Sequence, residues 1–193
     1  MPQTDIELYL GFKDNGDLKA FEELVSRYQK SIINFFYRLL WDRAMAEDLA
    51  QEVFLRLSLN AANYNPVGKF TVFLYTIAHN IWIDYYRKER LSKKSVSLDN
   101  TLDSDEQLSL KDVIEQVREI SVEGSAEREE FAKIRSLMDN LSETHRVVLE
   151  LSIFMKLSNH DIAVVLDIPA GTVKSRLSNA ISHMKQIVEQ KDS

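Results

Sequence analysis

The stretch Ile168-Pro-Ala-Gly-Thr-Val-Lys-Ser-Arg-Leu-Ser-Asn-Ala180 has the pattern of a helix with one apolar and one polar side. Pro169 suits the first turn of such a helix, where a backbone N–H is not needed. Val173 and Leu177 are four residues apart and therefore face the same side, which we expect to be buried. The polar residues on the outer face and leading end are Thr172, Lys174, Ser175, Arg176 and Asn179. Their cations and hydroxyls suit contacts with phosphates and base edges.

A shorter helix is predicted directly before this one. Ser158-Asn-His-Asp161 has the pattern of a capping box, in which a serine and a carboxylate three residues later satisfy the first backbone N–H groups. The helix Asn159–Leu166 follows, with the small Ala163 where two helices cross closely. Asp167 stands at the turn and tolerates left-handed backbone better than most residues. Such a pair is either an ordinary helical corner or a helix-turn-helix, whose second helix enters the major groove of DNA.

The composition excludes several classes of protein. With 193 residues, 45% of them hydrophobic and 28% charged, the chain can bury a core and form one medium or two small domains. No apolar run approaches the roughly 20 residues that span a bilayer, and the N-terminus lacks the pattern of a signal peptide. There are no cysteines, and the four histidines show no metal-binding spacing. We therefore expect a cytoplasmic protein without a metal or cofactor.

Hydrophobic periodicity predicts an all-α fold. Apolar residues recur with the helical period of 3.6 over Phe21–Leu39, Ala46–Leu57 and Phe70–Arg90. No stretch shows the sustained alternation of a half-buried strand. The chain is expected to begin with an N-terminal tail, and the first helical pattern starts at Phe21.

The negative charge is concentrated in one segment. The whole chain has a net charge of −6. Residues 1–94 hold 13 Lys and Arg against 12 Asp and Glu, and residues 131–193 hold 8 against 7. Residues 95–130 hold 3 against 11. A protein that binds DNA unaided usually has a strongly basic face, because neutralised phosphates supply most of its affinity. Either this chain binds no nucleic acid, or a larger partner holds it there.

These patterns together predict the domain organisation. We expect two small helical domains, residues 1–94 and 125–193, joined by an acidic linker at residues 95–124 that is extended partly by charge repulsion. Whether Leu110–Val117 contributes a helical turn is left open.

The C-terminal residues resemble a known family. The string from Leu141-Ser-Glu-Thr-His-Arg146 to Gly171-Thr-Val-Lys-Ser-Arg-Leu177 closely resembles the promoter-binding domain (region 4) of bacterial RNA polymerase sigma factors. The similarity is to the extracytoplasmic-function (ECF) group of the sigma-70 family. It implies that the polar face of the second helix recognises the −35 element.

A separate resemblance lies in the N-terminal half. Asp48-Leu-Ala-Gln-Glu-Val-Phe54 is similar to the sigma motif (region 2) that docks on the clamp helices of the polymerase's largest subunit. A polar helix face is by itself most often only solvated. The residues that the resemblance assigns to polymerase binding are Asp48, Gln51, Glu52, Phe54 and Arg56.

The segments Phe70–Asn80 and Asp84–Arg90 are similar to the sigma helix that recognises and melts the −10 element. The residues implied in −10 contacts are Tyr64, Asn65, Lys69, Asn80, Arg87, Lys88 and Arg90. Tyr64 and Asn80 fall where the family holds a flipped base. Phe73 stands in place of the family's usual tryptophan and Thr76 in place of a common arginine, which removes a possible phosphate contact.

The other aromatic and imidazole side chains of this segment have a simpler interpretation. Tyr75 and Trp82 are interpreted as packing residues, and His79 as a surface group.

The resemblance implies a non-enzymatic promoter-specificity subunit that is monomeric when free. Its implied partners are core RNA polymerase, through the clamp helices and the β-subunit flap, and promoter DNA, with an anti-sigma factor as a further candidate. The acidic linker would pass through polymerase channels that are lined for RNA, or serve only as a solubilising connection. A free-standing regulator would need a sensor pocket and a DNA-processing enzyme a catalytic cluster, and the sequence shows neither pattern.

Overall fold

The structure, a computed structural model, describes residues 3–61, 68–93 and 135–191. Every helix or strand assigned within these ranges is a helix, which confirms the predicted all-α class. The helices are α1 (Asp5–Asn15), α2 (Leu18–Leu40), α3 (Arg43–Leu59), α4 (Phe70–Lys93), α5 (Glu143–Leu149), α6 (Asn159–Leu166) and α7 (Ala170–Lys191). Residues 135–139 are also helical. No helix in the described part of the chain is long and apolar enough to cross a membrane.

The helices form two compact units, the first built on Met1–Ser95 and the second on the C-terminal helices. The predicted domain limits at residues 94, 95, 124 and 125 lie outside the described residues, as do the acidic linker 95–124 and the possible turn at Leu110–Val117.

The first unit begins with a helix that the sequence analysis missed. Thr4 and Glu7 form a capping box: the Thr4 N–H donates to the Glu7 carboxylate at 2.7 Å, and the Glu7 N–H donates to Thr4 Oγ1 at 3.3 Å. The helix α1 ends at Gly16, whose φ of 66° is a left-handed conformation that glycine adopts easily. The predicted N-terminal tail is therefore wrong. The helix α1 was not predicted because its apolar residues do not form one clear stripe. Leu8 and Tyr9 are buried, while Ile6 and Leu10 are half-buried.

The core of the first unit lies between the predicted apolar faces of α2, α3 and α4. Its completely buried side chains are Tyr9, Leu24, Ile32, Phe35, Phe36, Ala46, Val53, Leu57, Leu74 and Ala78. Tyr75 and Trp82 are each only 3% exposed, which confirms that they are packing residues. The helix α2 starts at Leu18, three residues before the predicted start, because Asp17 caps it by accepting from the Lys19 and Ala20 N–H groups.

In the second unit, α5 begins after the N-cap Ser142 and continues into a π-helical turn at Glu150–Phe154. The buried apolar side chains of this unit include Met138, Leu141, Val147, Val148, Leu149, Leu151, Ile153, Ile162, Val173, Leu177, Ala180, Ile181 and Met184. The helix α7 thus contributes to this core from Val173 to Met184, which fixes the direction of its outer face over these turns.

Candidate nucleic-acid interface

The turn between α6 and α7 has the geometry that its residues predicted. Ser158 Oγ accepts from the Asp161 N–H at 3.1 Å, and the Ser158 N–H donates to Asp161 Oδ2 at 3.3 Å, so the predicted capping box is present. Asp167 has a φ of 53°, the predicted left-handed conformation. Its N–H donates to the Val164 carbonyl and the Ile168 N–H to the Ala163 carbonyl, which closes the end of α6. Local side chains and backbone therefore determine where α7 begins.

The start of α7 presents a polar surface. The helix begins at Ala170, one residue later than expected, and the Pro169 carbonyl accepts from the Thr172 and Val173 N–H groups at 2.9 and 3.2 Å. Val173 and Leu177 are buried as predicted, at 0% and 7% exposure. The five predicted −35 residues lie on the other sides of the helix: Lys174 and Ser175 are exposed, and Thr172, Arg176 and Asn179 are half-buried.

The predicted polymerase-binding residues lie on α3 of the first unit. Asp48 and Gln51 are exposed, whereas Glu52, Phe54 and Arg56 are half-buried. Glu52 Oε1 accepts from Arg56 Nε at 2.7 Å along the helix. The core-facing side of α3 carries Ala46, Ala50, Val53 and Leu57, so Asp48 and Gln51 face away from the core.

Two residues of this α3 face were missed by sequence reasoning. Leu55 is 53% exposed and Leu59 is 72% exposed. They follow Asp48 by seven and eleven residues, which places all three on one side of the helix. The signal was available, because the predicted buried stripe of α3 leaves these two leucines pointing outward.

Arg56 also connects α3 with α4. Its Nη1 lies 3.5 Å from Asp84 Oδ2, in addition to the Nε contact with Glu52. These side chains are 37–54% exposed, so we expect the pairs to stabilise the fold by less than about 1 kcal/mol. The Arg56–Asp84 pair joins the predicted docking helix α3 to the predicted DNA-binding helix α4.

The predicted −10 residues that the structure describes lie on α4, except Lys69, which directly precedes it. Asn80 and Arg87 are exposed and seven residues apart, which places them on one side of the helix. Lys69, Lys88 and Arg90 are exposed as well, and the Arg90 guanidinium lies over the Tyr86 ring at 5.8 Å. The other two predicted residues, Tyr64 and Asn65, lie outside the described residues.

The two departures from the family pattern have distinct surroundings. Thr76 Oγ1 donates to the Val72 carbonyl of its own helix at 2.8 Å, so the hydroxyl is engaged within the fold. Phe73 is half-buried, with its ring centroid 5.9 Å from that of Tyr9. The phenylalanine thus takes a packing position.

His79 requires a correction. It is half-buried, and burial lowers its pKa from the usual 6.5 to about 4. The imidazole is therefore neutral at pH 7 and belongs to the packing of α4, where a surface group was expected. Among the described residues, no group of three or more His, Asp or Glu side chains could hold a metal ion.

Comparison with known proteins places this architecture in a family. The Sigma-70 region 2 family model matches residues 24–91, and the Sigma-70, region 4 model matches residues 131–184. The ECF RNA polymerase sigma factor SigW of Bacillus subtilis (strain 168) is 33% identical over 162 residues, which cover 84% of this chain and 85% of SigW. The chain belongs to the ECF group of the sigma-70 family.

Further relatives agree with this assignment. The RNA polymerase sigma-H factor of Pseudomonas aeruginosa is 32% identical over 168 residues, covering 86% of this sigma factor and 84% of the relative. The solved structure of CnrH in complex with the cytosolic domain of CnrY has a TM-score of 0.70 at 19% identity, covering 97% of this chain and 99% of that one. RpoE bound to the anti-sigma factor NepR from Bartonella quintana has a TM-score of 0.63 at 19% identity, covering 89% and 98%. The two structures share the fold.

Membership in this family defines the general activity. A sigma factor is the promoter-specificity subunit of RNA polymerase and not an enzyme.

Proposed function

We propose that this sigma factor recognises −35 DNA with α7, opens −10 DNA with α4 and docks on the clamp helices of polymerase with α3. The observation that carries the proposal is the division of α7 into two sides. Val173 and Leu177 are buried, while the cations, hydroxyls and amide from Thr172 to Asn179 lie outside the core at the start of the second helix of a helix-turn-helix.

The −35 contacts follow from the chemistry of that outer side. Arg176 can donate two hydrogen bonds to one guanine or to a phosphate, and Lys174 supplies a point charge for the DNA backbone. Thr172, Ser175 and Asn179 can donate and accept. Ser175 Oγ donates to the Thr172 carbonyl at 3.1 Å, which orients that hydroxyl near the leading end of α7.

Opening of the −10 element requires the extraction of bases from the stack. Flipping a base costs a few kcal/mol, which stacking and hydrogen bonds to the extruded base must offset. The exposed amide of Asn80 is able to bind a base edge, and Lys69, Arg87, Lys88 and Arg90 are able to hold the phosphates. Tyr64 and Asn65 complete the proposed base site.

Polymerase supplies the affinity that this chain lacks. The exposed Asp48 and Gln51, the half-buried Glu52, Phe54 and Arg56, and the neighbouring Leu55 and Leu59 form the proposed docking face of α3. A second contact, between residues 125–193 and the β-subunit flap, would hold both DNA-reading domains on one rigid partner. Weak binding by each domain is then multiplied through effective concentration.

The proposal also covers the two domains as separate parts, the acidic linker between them and the location of the protein. Residues 1–94 and 125–193 act as separate domains, and the acidic linker 95–124 passes through polymerase channels lined for RNA. The segment 95–130, with 11 acidic and 3 basic side chains, would there imitate the charge of the transcript. The protein works with polymerase in the cytoplasm.

An anti-sigma factor is a further proposed partner. The structure of RpoE with NepR shows that a protein of this fold is held by such an inhibitor. An inhibitor of this sigma factor would be detected by co-purification of a stoichiometric protein that suppresses transcription and is displaced by core polymerase.

A reconstituted transcription assay tests the proposal. Arg176→Ala should weaken −35-dependent promoter binding by the holoenzyme roughly ten-fold, within the 1–3 kcal/mol of a specific base contact. Asn80→Ala should leave closed complexes intact and reduce permanganate-reactive open complexes. The matched controls are Arg135→Ala and Gln29→Ala, which remove exposed side chains outside the proposed faces. The proposal fails if wild-type holoenzyme initiates no transcription, or if both test variants lose only polymerase binding.

A further inference from the structure

The N-terminal helix α1 reaches the proposed docking and opening helices through one side chain. The matched Sigma-70 region 2 begins at residue 24, so α1 lies outside it. Tyr9 of α1 is nevertheless completely buried. It contacts both α3 and α4, and these contacts suggest a role beyond that of covering the core.

The hydroxyl of Tyr9 binds the end of α3. It donates to the Leu57 carbonyl at 2.6 Å, across 48 residues of sequence. Leu57 is in the last turn of α3, where the final carbonyl groups have no partner within the helix. Tyr9 therefore supplies a partner for one carbonyl group in the last turn of α3.

The ring of Tyr9 packs against the start of α4. Its centroid lies 5.3 Å from that of Phe70 and 5.9 Å from that of Phe73, distances typical of favourable aromatic pairs. Phe70 is the first residue of α4. One side chain thus holds the last turn of α3 and the first turn of α4 together.

Polar contacts hold α1 itself in place. Asp5 accepts from the Tyr28 hydroxyl at 2.5 Å and from Arg27 Nη1 at 2.8 Å, so both residues of α2 bind the first turn of α1. Burial, and then the hydrogen bond to Asp5, raise the pKa of Tyr28, so its hydroxyl stays protonated and continues to donate. The Tyr28 ring also lies 5.5 Å from Phe70.

We propose that Tyr9 is a positioning residue for promoter opening, which sets the direction of α4 relative to the docking helix α3. The proposal rests on the −10 role proposed for α4. Asn80 lies ten residues after Phe70, or about 15 Å along the helix, so a tilt of about 10° at Phe70 displaces Asn80 by about 2.5 Å. That displacement is enough to break a hydrogen bond to a flipped base. Tyr9 would hold the amide within reach.

The test removes one hydroxyl and keeps the ring. Tyr9→Phe deletes the bond to Leu57, whereas the control Tyr75→Phe deletes a bond of 2.8 Å between Tyr75 and Ser31 of α2. Both variants are assembled with core polymerase and measured for urea stability, polymerase affinity and permanganate-reactive open complexes. The promoter is used as a duplex and as a fragment already mismatched across the −10 element.

We expect comparable stability losses and unchanged polymerase affinity for the two variants. Tyr9→Phe should form roughly five-fold fewer open complexes on duplex DNA, the factor that corresponds to one hydrogen bond, and should recover on the mismatched promoter. Tyr75→Phe should open the duplex like the wild type. Equal opening by Tyr9→Phe and wild type, an equal defect in both variants, or no recovery on mismatched DNA would overturn the inference.

Asn80→Ala separates the inference from the proposed function on which it rests. If Asn80→Ala impairs opening and Tyr9→Phe does not, only the positioning role is wrong. If Asn80→Ala opens the promoter normally, the −10 role of α4 is wrong, and the inference is overturned together with it.

Discussion

At the scale of single residues, Gly171 lacks a side chain at a position where the fold has room for one. It is the second residue of α7, and a Cβ atom added to it would meet nothing within 4 Å. It does not adopt the left-handed backbone that favours glycine. Glycine in a helix costs about 0.5–1 kcal/mol relative to alanine. A bare backbone at the leading end of the proposed recognition helix instead suits close approach to DNA.

Gly171→Ala should therefore stabilise the second unit and weaken promoter binding. We expect the urea midpoint of the second unit to rise by an amount equivalent to about 0.5–1 kcal/mol, because alanine favours the helix. Promoter binding by the holoenzyme should fall, because the added methyl group lies between α7 and the DNA. Unchanged promoter affinity would show that nothing approaches this backbone closely.

His79 predicts a pH dependence of stability. Its pKa of about 4 lies below the 6.5 of the unfolded chain, so only the unfolded state binds a proton as the pH falls between these values. Its contribution to stability is complete above pH 6.5 and is lost progressively toward pH 4. Between pH 7.5 and pH 5 we expect the wild type to lose roughly 2 kcal/mol more than His79→Gln, as measured by urea unfolding. His160→Gln, at an exposed position, should behave like the wild type.

At the scale of secondary-structure elements, α3 combines two different surfaces. One side packs through Val53 and Leu57, and the other presents Asp48 together with Leu55 and Leu59. Isolated exposed leucines are common on proteins and need no explanation. Two of them in line with a predicted docking residue are better explained by a partner that covers them.

The leucine pair on α3 can be tested without disturbing the core. Leu55→Gln combined with Leu59→Gln should leave the urea midpoint unchanged, since both side chains are exposed, and weaken core polymerase binding at least ten-fold. Leu18→Gln is the control, because Leu18 is 67% exposed on α2. If the α3 double variant and Leu18→Gln bind polymerase equally well, Leu55 and Leu59 lie outside the interface.

Local rules predicted most of the helices, and their failures have physical reasons. The capping box at Ser158 and the left-handed Asp167 were predicted because each depends on neighbouring residues alone. Thr4 and Glu7 carry the same capping signature, but α1 lacks a single apolar stripe and was overlooked. The hydrogen bond from Tyr9 to the Leu57 carbonyl joins residues 48 positions apart, and no local sequence pattern predicts such a contact.

At the scale of the whole molecule, charge and division into two units favour dependence on polymerase. The net charge of −6 and the near-neutral flanking segments provide little general attraction to phosphates. Each compact unit carries one of the two DNA-binding faces proposed above. Reading two promoter elements at once then requires a scaffold that holds both units.

The free chain should therefore be a poor DNA-binding protein. In about 0.15 M salt we expect the isolated protein to bind promoter and random duplexes equally and weakly, and the holoenzyme to select the promoter. Fluorescence anisotropy with matched promoter and random duplexes measures the DNA affinity of the isolated protein and of the holoenzyme. Tight and selective binding by the isolated chain would contradict the proposed dependence on polymerase.

The helix α7 has a consequence for how such proteins diversify. Its buried residues, such as Val173 and Leu177, hold the unit together, whereas Lys174 and Ser175 point away from that core. If α7 recognises −35 DNA as proposed, exchanging the outward side chains changes the DNA target and leaves the folded scaffold intact. After gene duplication, the two resulting sigma factors can thus come to direct transcription of different genes through a few surface substitutions. Both still bind the same RNA polymerase.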